Sequence, residues 1–373
     1  MDYLWLGAVG AVLAIFLFRR FATRGPEAVK LPVRSPETAS RSPAAAPAEP
    51  RGAEPVAAPP DMPAELQAFQ PVRAEGLSLE RQKVMFAVFR KVPRPPRLMQ
   101  QLLSPDFLNT ASSAQLVDLI AAEPLIAAKL LAAVNSPMYG LQRPATGIEQ
   151  AVIYLGINTV RAICLQYLMI AAFQAEGGAR AQRLESIWRA SGLASEIAQH
   201  LCQEVLLEAP GTTTSAVVLS FLGQLGVAGA APETLLAKIP RGDFLARTQA
   251  EQETLGLSAG EIGRLLMIEW ELPAAVVRKA ADIDGILTRP ADGIDPDRDA
   301  RLALGYFCAR AGERLASGQL LRLDGLAFID EAPADFFHFR SYLAHAPLKH
   351  LDAALKSPAL AARLERMLGA MRR

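Results

Sequence analysis

The chain has 373 residues, 51% of them hydrophobic, with 39 basic and 38 acidic side chains and a formal net charge of +1. That balance gives no global electrostatic footprint for nucleic acid, and the length allows two or three domains. Aromatic residues make up only 6%, and alanine and leucine dominate, which favours helices over sheets. Cys164, Cys202 and Cys308 are odd in number and far apart, without a C-x-x-C pair, so buried thiols in a reducing compartment are expected.

Tyr3 to Phe18 reads YLWLGAVGAVLAIFLF and carries no charge, and Arg19, Arg20 and Arg24 follow. The run is at the short end of what spans a hydrocarbon core of roughly 30 Å. Tyr3 and Trp5 suit one interface and the arginines the other. A cleaved signal would want basic residues before the run and small residues after it, whereas Asp2 precedes it and arginines follow, so a retained anchor is preferred. The positive-inside rule then puts the rest of the chain in the cytoplasm. Residues 25–63 are rich in Pro, Ala, Ser and Glu with no apolar period, and read as a disordered spacer.

Residues 64–96 contain one helical pattern with Leu79, Val84, Phe86 and Val88, then Arg90, Lys91, Arg94 and Arg97 among prolines. This basic stretch reads as a solvated lead-in, with membrane contact the alternative.

The most legible stretch is Asp118 to Phe173. Pro124 suits the first position of a helix, whose Ile126, Leu130 and Val134 recur every fourth residue. Pro137 stops that helix near Asn135-Ser136. Thr146 and Glu149 predict a capping box for the next helix, which carries Ala151, Val152 and Leu155 inward and ends at Gly156. Asn158 is expected to cap a third helix with Val160, Ile163, Tyr167 and Ala171 on its apolar face. Downstream, Arg180–Leu207 forms a long helical pattern. Thr212 to Thr214 are expected to cap a helix from Ser215 that Gly226 closes, and Asp243 caps Phe244–Leu255. Ser258 with Glu261 predicts a second capping box, Trp270 to Pro273 breaks that helix, and Ala274–Ile283 completes the set. No alternating strand appears.

Pro124, Asn135-Ser136, Tyr139-Gly140 and Leu155-Gly156, with Leu130-Leu131, Ile148 and Ala151, resemble the HDOD domain, a bacterial regulatory relative of the HD phosphohydrolases. The resemblance extends more weakly to about Ile283. It implies an all-α multi-helix bundle, a signal-transduction context and signalling proteins as partners. The motif positions themselves read as structural. Catalytic HD relatives hold divalent metal with histidines and an adjacent His-Asp pair, which activates water for attack on phosphate. In this chain Arg189-Ala190-Ser191 follows Trp188, Gly223-Gln224 stands at the pair, Ala259 stands at a later histidine, and Ala281-Asp282 at the last. The four histidines, His200, His338, His345 and His350, lie elsewhere. No metal, cofactor or catalytic residue is therefore expected. Gly256-Leu257-Ser258-Ala259-Gly260 mimics a nucleophile elbow but lacks the strand before it. A small nucleotide ligand is left open, with no motif behind it.

Residues 284–301 read as a polar surface connection, followed by helix from Arg301. Phe336, Phe337 and Phe339 suit closure of a core. Residues 350–373 form a basic amphipathic helix, read as solvated, with peripheral membrane contact as the alternative. The expected plan is an anchor over 1–24, a spacer over 25–63, a lead-in over 64–96, an HDOD-like bundle over 97–285 and a helical extension over 286–373. The expected role is non-catalytic signalling through protein or nucleotide binding. The alternative is a metal-dependent cyclic-nucleotide or nucleotide phosphohydrolase with substitute ligands.

Overall fold

A computed structural model describes residues 61–89, 92–173, 177–371, and these contain helices and turns but no strand. The expected anchor, and the spacer up to residue 60, lie outside the described residues. The longer helices are α1 (Leu79–Phe89), α2 (Arg97–Leu102), α3 (Pro105–Thr110), α4 (Ser113–Ala121), α5 (Pro124–Val134), α6 (Ile148–Leu155), α7 (Ile157–Ala171) and α8 (Gly178–Glu204). They continue as α9 (Pro210–Ser220), α10 (Leu222–Ala230), α11 (Phe244–Leu255), α12 (Ala259–Glu269), α13 (Ala274–Ala281), α14 (Pro296–Ser317) and α15 (Pro358–Met371).

The organising stretch folds largely as its punctuation dictates. Pro124 is the first residue of α5, and Ile126, Leu130 and Val134 are buried. α6 ends at Gly156, whose φ of +79° also starts α7, and the chain turns by 119° between the two helices. The caps differ from expectation. Gly147 precedes α6 and the Thr146 backbone N–H and hydroxyl turn to Gln150 Oε1, so Glu149 makes no box. Asn158 lies inside α7, where it accepts from Arg161. The positive φ that glycine tolerates has replaced a side-chain cap at this corner.

α7 is buried on nearly all sides and α9 is wrapped by α7, α8, α13 and α14, which explains two further departures. Thr212, Thr213 and Thr214 are not caps but buried residues of a helix that already starts at Pro210. Gly226 does not close a helix either, because α10 runs through it to Ala230. Read as one run, residues 210–230 are long and apolar enough to cross a membrane, yet 78% of the most apolar window is buried in the bundle. A hydrophobic pattern all round a helix marks a core helix as readily as a span.

The longest helices, α8 and α14, pack along each other. A Cβ at Gly312 would fall 2.6 Å from the Ala190 carbonyl oxygen, so glycine sets how closely they approach. α14 begins at Pro296, earlier than the polar composition of 284–301 suggests, with the Asp295 carboxylate accepting from the Arg298 N–H. Phe336 and Phe339 close the core as expected, Phe336 edge-on to Tyr306 and Phe339 stacked on Tyr306 and Phe307, while Phe337 is half-buried against it. The C-terminal stripe is not a solvated helix. It breaks after Leu355, and Leu351, Leu355, Leu360, Leu364 and Met367 are all buried.

Candidate functional site

The motif residues build a loop, not a constellation. The Asn135 amide donates to Ala145 O (2.9 Å) and accepts from Ala145 N (2.7 Å), closing residues 136–144 into a clamped excursion. Gly140 has φ +58°, and a Cβ there would meet the Arg366 side chain at 3.3 Å. Pro124 starts the helix before the loop, while half-buried Leu155 and Gly156 end the helix after it. Ser136 and Tyr139 line a cavity of about 330 Å³ with Gln166, Tyr167, Trp188 and Arg189. Burial raises the Tyr139 phenol well above its ordinary range, and the Glu196 carboxylate nearby adds to this. Glu196 is itself buried and paired with Arg363 of α15. The C-terminal helix thus locks the back of the motif loop through charge and packing.

Of the residues that stand at the expected metal places, Gly223 and Ala259 come together, but not as ligands, while Asp282 lines a separate cavity. α10 and α12 cross at Gly223 and Gly263. A Cβ at Gly223 would run into the Ala259 carbonyl, and one at Gly263 would fall 2.9 Å from the Gly223 nitrogen. A Cβ at Gly260 would fall 2.7 Å from Asp284 Oδ2. The first place of the expected His-Asp pair therefore has no room for a side chain. Gln224, the neighbour of Gly223, donates to Glu313 Oε1 at 2.6 Å.

Glu313 is the hub of a buried ionic network. Arg247 donates to Glu313 Oε1 at 3.0 Å and lies 3.7 Å from Glu251. Arg310 lies 3.4 Å from Glu313 and 3.5 Å from Asp284, and its guanidinium sits 3.6 Å over the Phe244 ring. Burial is the first influence on each acid, and the acids still differ. Arg247, Arg310 and Gln224 hold the Glu313 carboxyl below the ordinary value. Burial wins at Glu251, which is pushed up to about 6, and at Asp284, which is raised. Glu251 still accepts from the Ala259 N–H at 2.7 Å. Two guanidinium groups, that of Arg310 also seated on an aromatic face, thus engage the carboxylates that could have served as substitute metal ligands. Among the described residues, no group of three or more His, Cys, Asp or Glu side chains is arranged to hold a metal ion. The residues present do not fit the metal of the catalytic relatives.

The histidines stay apart from this place. His200 lies 3.7 Å from Glu204, and burial lowers its pKa. His345 lies 3.3 Å from Asp299, His338 is buried, and His350 is exposed. The second expected capping box is half formed. Ser258 accepts from the Glu261 N–H, but the Glu261 carboxylate turns to Arg73, Ala74 N and Arg264. The network itself was not read from the sequence, because its members are scattered from 224 to 313. The available signal was single charges inside apolar text, such as Arg310 between Ala309 and Ala311.

A sequence profile of the HDOD domain matches residues 92–284. No curated protein matches the chain. An HDOD domain protein of unknown function from Geobacter sulfurreducens superposes with a TM-score of 0.52 at 17% identity, covering 76% of this chain and 98% of its own. A Shewanella amazonensis SB2B protein named as a candidate phosphohydrolase gives 0.49 at 19% identity, covering 77% and 97%. A Marinobacter aquaeolei VT8 protein named as a candidate signal transduction protein gives 0.48 at 17% identity, covering 83% and 64%. At these identities the Geobacter likeness bears on the fold alone.

Proposed function

The chain belongs to the HDOD domain family, and from that premise we propose that it is a non-catalytic regulatory protein, tethered to a membrane and acting through binding. The observation that carries this reading is the crossing at Gly223. Of the two residues at the expected metal-binding pair, Gly223 is a backbone contact between two helices and Gln224 is bound to Glu313. A protein built this way keeps the bundle and the motif loop of its family while its charged groups neutralise one another. Signalling proteins are the expected partners, and the family's context supports that class without naming one. Tyr3 to Phe18 would hold the chain in the membrane, and the arginines after it favour a cytoplasmic bundle.

One observation favours a second reading. Glu251, Asp284 and Glu313 are three carboxylates in one network, and Glu251 and Glu313 border a small cleft of about 100 Å³. Were the arginines to withdraw, those acids could serve a metal-dependent phosphohydrolase. Purified full chain in detergent, supplied with manganese or iron, separates the two. The regulatory reading expects no hydrolysis of bis(p-nitrophenyl) phosphate or cyclic dinucleotides above buffer. Turnover that disappears in Glu313→Gln would establish the phosphohydrolase instead.

A further inference from the structure

A second cavity, of about 360 Å³, opens between the first turn of α9, the exposed face of α13 and the start of α14. Its lining is unlike the closed network. Arg278, Lys279, Arg298 and Arg301 face it. The two acids in the lining are already engaged. Asp282 lies 3.6 Å from Arg289 and 3.4 Å from Arg298, and Asp295 accepts from the Arg298 N–H. Arg278, Lys279 and Arg301 have no ion-pair partner among the described residues. They crowd one another instead. Burial, then Arg301 and Arg278, push the Lys279 ammonium below its ordinary value. Like charges held together without a counter-ion cost free energy in the empty protein.

A separate feature points the same way. Thr213 lines this cavity and is only 4% exposed, and its buried hydroxyl has no oxygen or nitrogen partner in the protein, only a weakly bonding thiol. The Cys202 thiol is its polar neighbour. A buried hydroxyl of that kind is normally satisfied. The positive end of the α9 dipole adds to the field on the same side. Ala216, Ile283 and Leu302 supply an apolar wall.

We propose that this cavity binds a small phosphate-bearing anion. A phosphate group has the charge to neutralise several cations at once, and its oxygens match the donor forks of two arginines. The volume falls in the small-molecule range and is too small for a folded partner. The apolar wall would take the organic part of the ligand. The inference does not depend on the regulatory reading, since a binding site here is compatible with either outcome of the hydrolysis test. The phosphate could belong to a dissolved metabolite or to a lipid headgroup, and the chemistry of recognition is shared.

Full chain in phosphatidylcholine nanodiscs, titrated calorimetrically with methylenediphosphonate, tests this with a probe that turnover cannot consume. Saturable binding is expected. Arg278→Ala or Arg301→Ala should each weaken it roughly tenfold, the loss of one charge-assisted contact. Arg322→Ala, at an exposed arginine outside the cavity, should leave it unchanged. If phosphatidylglycerol in the discs competes with the probe, the natural phosphate is a lipid headgroup. If it does not, the ligand is dissolved. Unchanged melting temperatures keep lost binding apart from lost folding. The proposal is overturned by absence of saturable binding in phosphatidylcholine discs, or by Arg322→Ala weakening binding as much as Arg301→Ala.

Discussion

Two charged regions of this bundle obey opposite rules. Around Glu313 the guanidinium groups of Arg247 and Arg310 meet counter-charges and the Phe244 ring, and the crossing of α10 and α12 leaves no room beside Gly223. Around Lys279 the cations meet one another and border an open cavity. Opposite charges that cancel inside a core act as structure, because exposing or unpairing any one of them is costly. Like charges held at the rim of a cavity are unfavourable until something else arrives. The crossing at Gly223 is thus closed by backbone, and the unbalanced cations lie around the separate cavity that Asp282 and Thr213 line.

The sharpest way to break this contrast is Glu313→Gln. It leaves Arg247 and Arg310 buried beside the weaker partners Glu251 and Asp284, and should cost about 3–5 kcal/mol in a urea unfolding experiment. A loss below about 1 kcal/mol would mean that the network is not holding the bundle together. Next comes the pH dependence of Glu251. Its folded pKa, about 6, lies above the ordinary 4.5, so its contribution to stability is complete below 4.5 and lost as the pH rises through about 6. Unfolding free energies of Glu251→Gln and the parent should therefore move apart in the variant's favour between these values, by about 2 kcal/mol. Glu313, whose pKa is lowered, acts in the opposite sense, with stability lost as the pH falls below the ordinary range. The smallest effect belongs to the open region. Arg278→Ala and Lys279→Ala should change stability by no more than about 0.5 kcal/mol, because both side chains are exposed and unpaired. A large loss at either would make the basic cavity part of the structural framework.

Local grammar explains what could be read in advance. Pro124, Gly156, Asp243 and Ser258 each act within a few residues of themselves, so their roles are written in adjacent text. The four-residue period of α5 is local in the same way. Thr212 to Thr214 misled because threonine is a capping residue only when the helix begins beside it, and Pro210 had already begun this one. The Thr146 cap failed because Gln150 outcompeted Glu149 for the same backbone group. The candidate sites were harder still. Gln224 meets Glu313 across 89 positions, and Thr213 shares a cavity with Arg278 and Arg301 only after α9, α13 and α14 have packed. The absence of histidine at Gly223 was legible in the text. That the place had been filled by a backbone contact was not, because a glycine in sequence does not reveal its neighbour.

That filled place can be tested by restoring the missing pair. In Gly223→His, Gln224→Asp, the imidazole has to enter the space held by the Ala259 and Gly263 backbones. Circular dichroism with metal analysis of the full chain, purified in the presence of manganese, gives the answer in one preparation. The account predicts loss of the cooperative fold and no stoichiometric metal. A folded variant carrying about one metal ion per chain would contradict it, and would mean that α10 and α12 can part to reopen a working metal site.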